Sequence, residues 1–144
     1  MSLLEYDWDP SLSVGEEKID EQHRTLISQI QKLSAILSSI GGVDMSQLRS
    51  ANNFLYVYIK EHFSYEESVM EKVGYPDIAL HRKLHQKMIK FYEDFQKELR
   101  EEMKSKDFSS FEVKDLLTKI NDYLKAWVNH IRVVDHKYAK YIKK

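Results

Sequence analysis

Residues 19–40 read IDEQHRTLISQIQKLSAILSSI, and their apolar side chains Ile19, Leu26, Ile30, Leu33, Leu37 and Ile40 recur three and four places apart. That is the period of an amphipathic helix with one buried face. The one gap in the stripe, position 23, is a histidine. The pattern and its intrusion return three times. Residues 47–73 carry Leu48, Leu55, Ile59, His62, Glu66, Val69 and Val73, with Asn52 as a further polar member. Residues 77–104 carry Ile78, His81, His85, Met88, Tyr92, Phe95 and Leu99, and residues 110–142 carry Val113, Leu116, Ile120, Tyr123, Trp127, His130 and Val134.

Turn residues fall between these stretches. Gly41-Gly42, then Gly74-Tyr75-Pro76-Asp77, then Ser105-Lys106-Asp107 with Ser109-Ser110 break the helical pattern. Four long helices with short connections predict an all-α, antiparallel up-down-up-down four-helix bundle. Residues 1–144 form one domain in this reading, with 1–18 as an irregular N-terminal arm holding Pro10.

Bulk composition narrows the function. The 144 residues carry a net charge of −1, with 42% hydrophobic and 31% charged side chains. Neither nucleic acid nor an anionic membrane is suggested by that balance, and the basic tail (Arg132, Lys137, Lys140, Lys143, Lys144) reads as a solvated helix face. No apolar run approaches the ~20 residues needed to span a bilayer. MSLLEYDWDP has no signal-peptide pattern, so a cytoplasmic protein is expected. With no cysteine, thiolate chemistry and iron–sulfur clusters are excluded, and any metal would be held by nitrogen and oxygen.

Five of the six histidines sit on core stripes. Depth along the bundle is a second, separate indication. At 1.5 Å per residue, His23 and His62 lie about 25 and 22 Å from the turn joining their helices, and His85 and His130 about 28 and 31 Å from the turn joining theirs. Glu66, His81 and His85 lie about 10, 6 and 12 Å from the middle turn. All four helices therefore deliver ionisable groups to one layer near one end. Left without a metal, such a buried set would cost several kcal/mol in desolvation.

His62–Glu66 and His81–His85 have the i,i+4 spacing that puts two ligands on one face. His130 and Asp135 do not: five residues place side chains about 140° apart on a regular helix. Either the helix carries a π-type bulge there, or Asp135 swings in from the edge, or it is a surface residue paired with a lysine. Glu67 is expected on the surface or in a hydrogen bond just outside the ligands, and His136 exposed.

Ile19-Asp20-Glu21-Gln22-His23, His62-Phe63-x-x-Glu66-Glu67, Tyr75-Pro76-x4-His81-x3-His85 and Trp127-x-x-His130-Ile131-x3-Asp135 together resemble the ligand signature of the hemerythrin family. Tyr6-Asp7-Trp8 with Ser13-Val14-Gly15 resembles the N-terminal arm of its bacterial branch. The resemblance implies a non-haem di-iron centre with an oxo or hydroxo bridge. His81, His85 and His130 would hold one iron, His23 and His62 the other, and Glu66 and Asp135 would bridge them. It further implies that the second iron, one ligand short, takes dioxygen reversibly as a bound peroxide.

The donor set gives a reason to expect binding rather than oxidation. Carboxylate-type di-iron oxygenases use Glu-x-x-His on each of two helices; here Asp20-x-x-His23 is the nearest approach. Neutral imidazoles stabilise high-valent iron less than carboxylates, so the site should bind oxygen without cleaving it. Ile27, Phe63, Leu84, Trp127, Val133 and Val134 flank the ligands at helical offsets and are expected to wall a dry pocket. The expected function is an oxygen carrier, store or delivery protein and not an enzyme. Its ligand is dioxygen, and a monomer is expected with an oligomer as the alternative. The competing readings are an oxygen, redox or iron sensing domain, and a di-iron oxidoreductase acting on peroxide or nitric oxide. A metal-free bundle is the remaining one.

Overall fold

The computed structural model describes residues 7–39, 42–104 and 110–142. It is all-helical: α1 (Glu17–Leu37), α2 (Met45–Lys72), α3 (Ile78–Lys104) and α4 (Ser110–Asn129), which runs on through a π-helical turn (His130–Asp135) into α5 (His136–Ile142). α1 packs on α2 and α4, α2 on α3, and α3 on α4, so the four long helices close a square bundle. The expected break at residues 105–109 lies outside the described residues, as do Ile40 and Gly41. No helix among the described residues is long and apolar enough to cross a membrane.

Helix ends are set by local chemistry. α1 begins at Glu17, where the Glu16 side chain accepts from the Lys18 and Ile19 amides and Glu17 and Asp20 oppose the positive end of the helix dipole. It ends at Leu37, short of the expected 40. Ser38 and Ser39 hydrogen-bond back to Ser34 and Ile36 and close the last turn. α2 starts two residues earlier than expected because Asp44 caps it through the Gln47 amide.

The α2–α3 turn is a Schellman motif. Gly74, at φ +72°, lets its own N–H reach the Glu71 carbonyl and the Tyr75 N–H reach the Met70 carbonyl. Met70 and Tyr75 then join one apolar cluster, which orients the chain toward His81.

The described part of the arm, from Asp7 onward, is tied to the bundle. Asp9 caps a 3-10 turn at Pro10–Leu12. The Asp20 carboxylate takes hydrogen bonds from the Val14 amide and the Ser13 hydroxyl. Leu12 and Val14 are fully buried, and Arg24 lies over the Trp8 ring.

Two apolar clusters fill the interior. The larger includes Leu26, Leu55, Phe63, Phe95, Ile120 and Trp127; the smaller holds Val14, Ile19, Met70, Tyr75, Tyr138 and Ala139. The histidine positions fall between them along every long helix. Asn52, the polar member of the second stripe, is buried and accepts a hydrogen bond from the Tyr92 hydroxyl at 2.8 Å.

Candidate metal centre

His23, His62, Glu66, His81, His85, His130 and Asp135 meet in the layer between the two apolar clusters, none more than 6% exposed. α1 supplies His23, α2 His62 and Glu66, α3 His81 and His85, and the π turn that follows α4 supplies His130 and Asp135. They fall into two groups that share Glu66: one with His81, His85, His130 and Asp135, the other with His23 and His62. In each group one donor atom per residue lies within 4.8 Å of all the others.

Asp135 reaches the layer through the π turn. In an α-helix Val134 would lie one turn below His130. With i→i+5 bonding that place passes to Asp135, which is fully buried. The same rotation corrects the expected pocket wall. Val133 turns outward and is 50% exposed. Val134 is half-buried and, with Leu84, lines the outer surface beside His81 and His130. Ile27, Phe63 and Trp127 are inside. Phe63 stacks on His85 at 3.8 Å and on Trp127 at 5.2 Å, and Trp127 lies 5.7 Å from His62 between ring centroids.

Each carboxylate divides its oxygens between the groups. Glu66 Oε1 is 2.9 Å from His85 Nε2 and 3.4 Å from His81 Nε2, while Oε2 is 3.4 Å from His23 Nε2 and 3.5 Å from His62 Nε2. Asp135 Oδ1 is 2.9 Å from His81 Nε2 and 3.0 Å from His130 Nε2, while Oδ2 is 3.2 Å from His23 Nε2.

These contacts are close but poorly directed for hydrogen bonding. The Nε2 atoms of all five histidines, Glu66 Oε1 and both Asp135 oxygens are buried without a hydrogen-bond partner. Such atoms are costly unless something else satisfies them. Lone pairs converging from imidazoles and carboxylates, with no thiolate among them, fit a cation such as iron.

Two of the outer ring nitrogens and Glu66 have supports of their own, whereas His23 Nδ1 is buried without a partner. His62 Nδ1 donates to Gln22 Oε1 at 2.8 Å, and His85 Nδ1 donates to the Glu67 carboxylate at 2.7 Å, itself held by Arg82. With Nδ1 carrying the proton, Nε2 is left with a free lone pair toward the layer. The Tyr138 hydroxyl donates to Glu66 Oε2 at 2.8 Å. Glu67 thus takes the second of its two expected places. In the sequence Gln22 stands out only as part of a signature, and neither its role nor that of Tyr138 is predicted. Gln22 lies off the stripe and meets its partner only across helices. Tyr138 follows Asp135 by three places on one helix face, a spacing that could have singled it out. His136 is half-buried, and its Nδ1 donates to the Ile131 carbonyl at 2.8 Å, away from the layer.

Charge in the layer is shared unevenly. Burial pulls the His23 and His81 rings toward neutrality, but Asp135 and Glu66 beside them outweigh it and push both pKa values up to about 9. His62 goes the other way, down to about 3, because burial dominates the attraction of Glu66. Burial pushes the carboxyls of Glu66 and Asp135 upward, yet the surrounding imidazoles hold both well below the usual carboxylate range.

A four-helix bundle that turns five imidazoles and two carboxylates onto one buried layer defines a non-haem metal-binding helical protein. Residues 14–142 match the family described as Hemerythrin HHE cation binding domain. The chain is 30% identical to a bacteriohemerythrin of Stenotrophomonas maltophilia, over 94% of this chain and 80% of that one. It is 31% identical to a bacteriohemerythrin of Methylococcus capsulatus over 83% and 82%. A myohemerythrin of Theromyzon tessulatum is 28% identical over 92% and 90%. The chain belongs to the hemerythrin family, whose members bind oxygen at non-haem iron.

Proposed function

We propose that the chain binds dioxygen reversibly at a pair of non-haem irons, as a carrier, store or delivery protein. His81, His85 and His130 would hold one iron, His23 and His62 the other, and Glu66 and Asp135 would bridge. The observation that carries this reading is the division of oxygens: each carboxylate offers one oxygen to the three-histidine group and one toward His23. When bound, the two irons would lend electrons to oxygen and recover them on its release.

The chain's own groups account for the rest. Three imidazoles against two leave room for an outside ligand beside His23 and His62. Gln22 and Glu67 fix which nitrogen of His62 and His85 faces inward. Phe63, Trp127 and Ile27 keep the layer dry, and a dry site limits the protons that promote loss of electrons to oxygen. The test is spectroscopic. Iron-loaded, reduced protein exposed to oxygen should gain a visible charge-transfer band that disappears when oxygen is removed. One-way conversion to the ferric state, or purified protein without iron, overturns the reading.

A further inference from the structure

Outside the metal layer, three depressions adjoin along the seam where α3 faces the end of α4 and α5. Their volumes are about 270, 30 and 260 Å³. The first two share Tyr75, Asp77 and Lys137, and the last two share Leu84 and Val134, so they form one furrow. His81 lines its middle and His130 its upper part. A single imidazole therefore separates the furrow from the carboxylates of the site: the far nitrogens of these two rings lie 2.9 and 3.0 Å from Asp135.

The furrow has an apolar centre and a basic rim. Leu80, 59% exposed, lies beside Leu84 and Val134. Lys87, Lys137 and Lys140 line the depressions against one carboxylate, Asp77. Some cations elsewhere on α3 and α4, such as Arg82, Lys90 and Lys119, are held by carboxylates. No carboxylate among the described residues lies within salt-bridge distance of the three rim lysines. In a chain of net charge −1, this is a local excess of positive charge, although the Lys140 ammonium also lies 5.7 Å from the Tyr141 ring centroid. Such a rim steers acidic partners, and a small apolar centre suits a brief encounter rather than a lasting complex.

Resting on the di-iron reading above, we propose that the α3–α5 seam over His81 and His130 is the docking surface for a small acidic one-electron carrier that restores oxidised iron. In each encounter the reduced carrier loses one electron and one ferric ion becomes ferrous, so two encounters restore the pair. A protein that holds oxygen reversibly needs such a return path whenever its irons are left ferric.

The test uses the full iron-loaded ferric protein and reduced flavodoxin, a small acidic flavin carrier, as probe. The bimolecular reduction rate should fall steeply with added salt. At low salt, Lys87→Glu with Lys137→Glu should lower it about tenfold or more. Reduction by dithionite at high salt, where the pull on that small anion is screened, should be unchanged, and reversal of Lys32 and Arg49 on the opposite α1–α2 side should leave the flavodoxin rate as it was. Carbodiimide cross-linking should join flavodoxin carboxylates to Lys87, Lys137 or Lys140, a readout independent of electron transfer. Iron-loaded protein with a salt-independent rate, an unaffected double variant, or cross-links gathered on α1 and α2 overturns the docking surface alone. Protein that takes up no iron overturns the di-iron reading and this proposal with it. A seam that binds anionic phospholipid vesicles in place of flavodoxin, or that pairs two copies until the lysines are reversed, also overturns it.

Discussion

His130 Nε2 lies 3.0 Å from Asp135 Oδ1 although five residues separate them, and the π turn between them is what brings both into the layer. The turn acts as a one-residue insertion into a helix that is otherwise in phase. Deleting Val133, which is half-exposed, should let the helix close as α with the histidine and the aspartate at i,i+4. Asp135 and Tyr138 would keep their directions, and the variant should retain iron at the wild-type ratio. Inserting an alanine after Val133 should turn Asp135 away and lower iron content. Metal analysis of the two variants checks this, and equal loss in both would show that the π turn itself, not its phase, is required.

Glu67→Gln replaces the charged acceptor of the His85 Nδ1 proton with a neutral one. Outer partners of metal-binding histidines raise ligand basicity, and their loss costs about 10–100-fold in metal affinity. Iron affinity should fall within that range while helix content stays constant, since Glu67 lies outside the apolar clusters. Competition with a chelator of known affinity measures the first, and circular dichroism the second.

The long helices and five inward histidines were legible because both depend on a period of 3.6, which a linear pattern records directly. Depth along the bundle is legible for a related reason: rise per residue is nearly constant, so equal distances from a turn become one layer. Val133 and Val134 were misplaced because the helical offset was carried through a turn where the period changes. The burial of Leu12 and Val14 is not legible, because the arm is tied down at Ser13 and Val14 by Asp20, a tertiary contact with no period of its own. Gln22 was missed for the same reason, since its partner His62 lies on another helix.

Tyr138→Phe removes the hydroxyl that donates to Glu66 Oε2 and keeps the ring that packs near Tyr75 and His81. A buried carboxylate oxygen that loses its donor costs about 1–3 kcal/mol. The iron-free variant should therefore unfold at lower urea concentration with an unchanged slope. The loaded variant should keep its iron but show a displaced visible band, because the donation that tunes Glu66 is gone. An unchanged band with the same stability loss would make the tyrosine purely structural.

Raising the pH should strengthen metal loading and weaken the metal-free fold. In the metal-free protein the His23 and His81 pKa values are raised to about 9 by Asp135 and Glu66 against the effect of burial. A raised folded value stabilises the fold fully below the unfolded value of about 6.5, and that contribution is lost as pH climbs through 9. The same rings must be neutral to hold a metal, so each gives up its proton on loading at pH 7. Metal affinity should thus rise between pH 7 and 9 while the stability these two rings give the metal-free fold declines over that interval. Calorimetric titration with Zn²⁺ as a redox-silent probe, in two buffers of different ionisation enthalpy, reads the protons released. Chemical unfolding of the metal-free protein across the same pH range reads the loss. Loading that releases no proton at pH 7 would mean that the two rings are already neutral, with the layer's charge arranged differently.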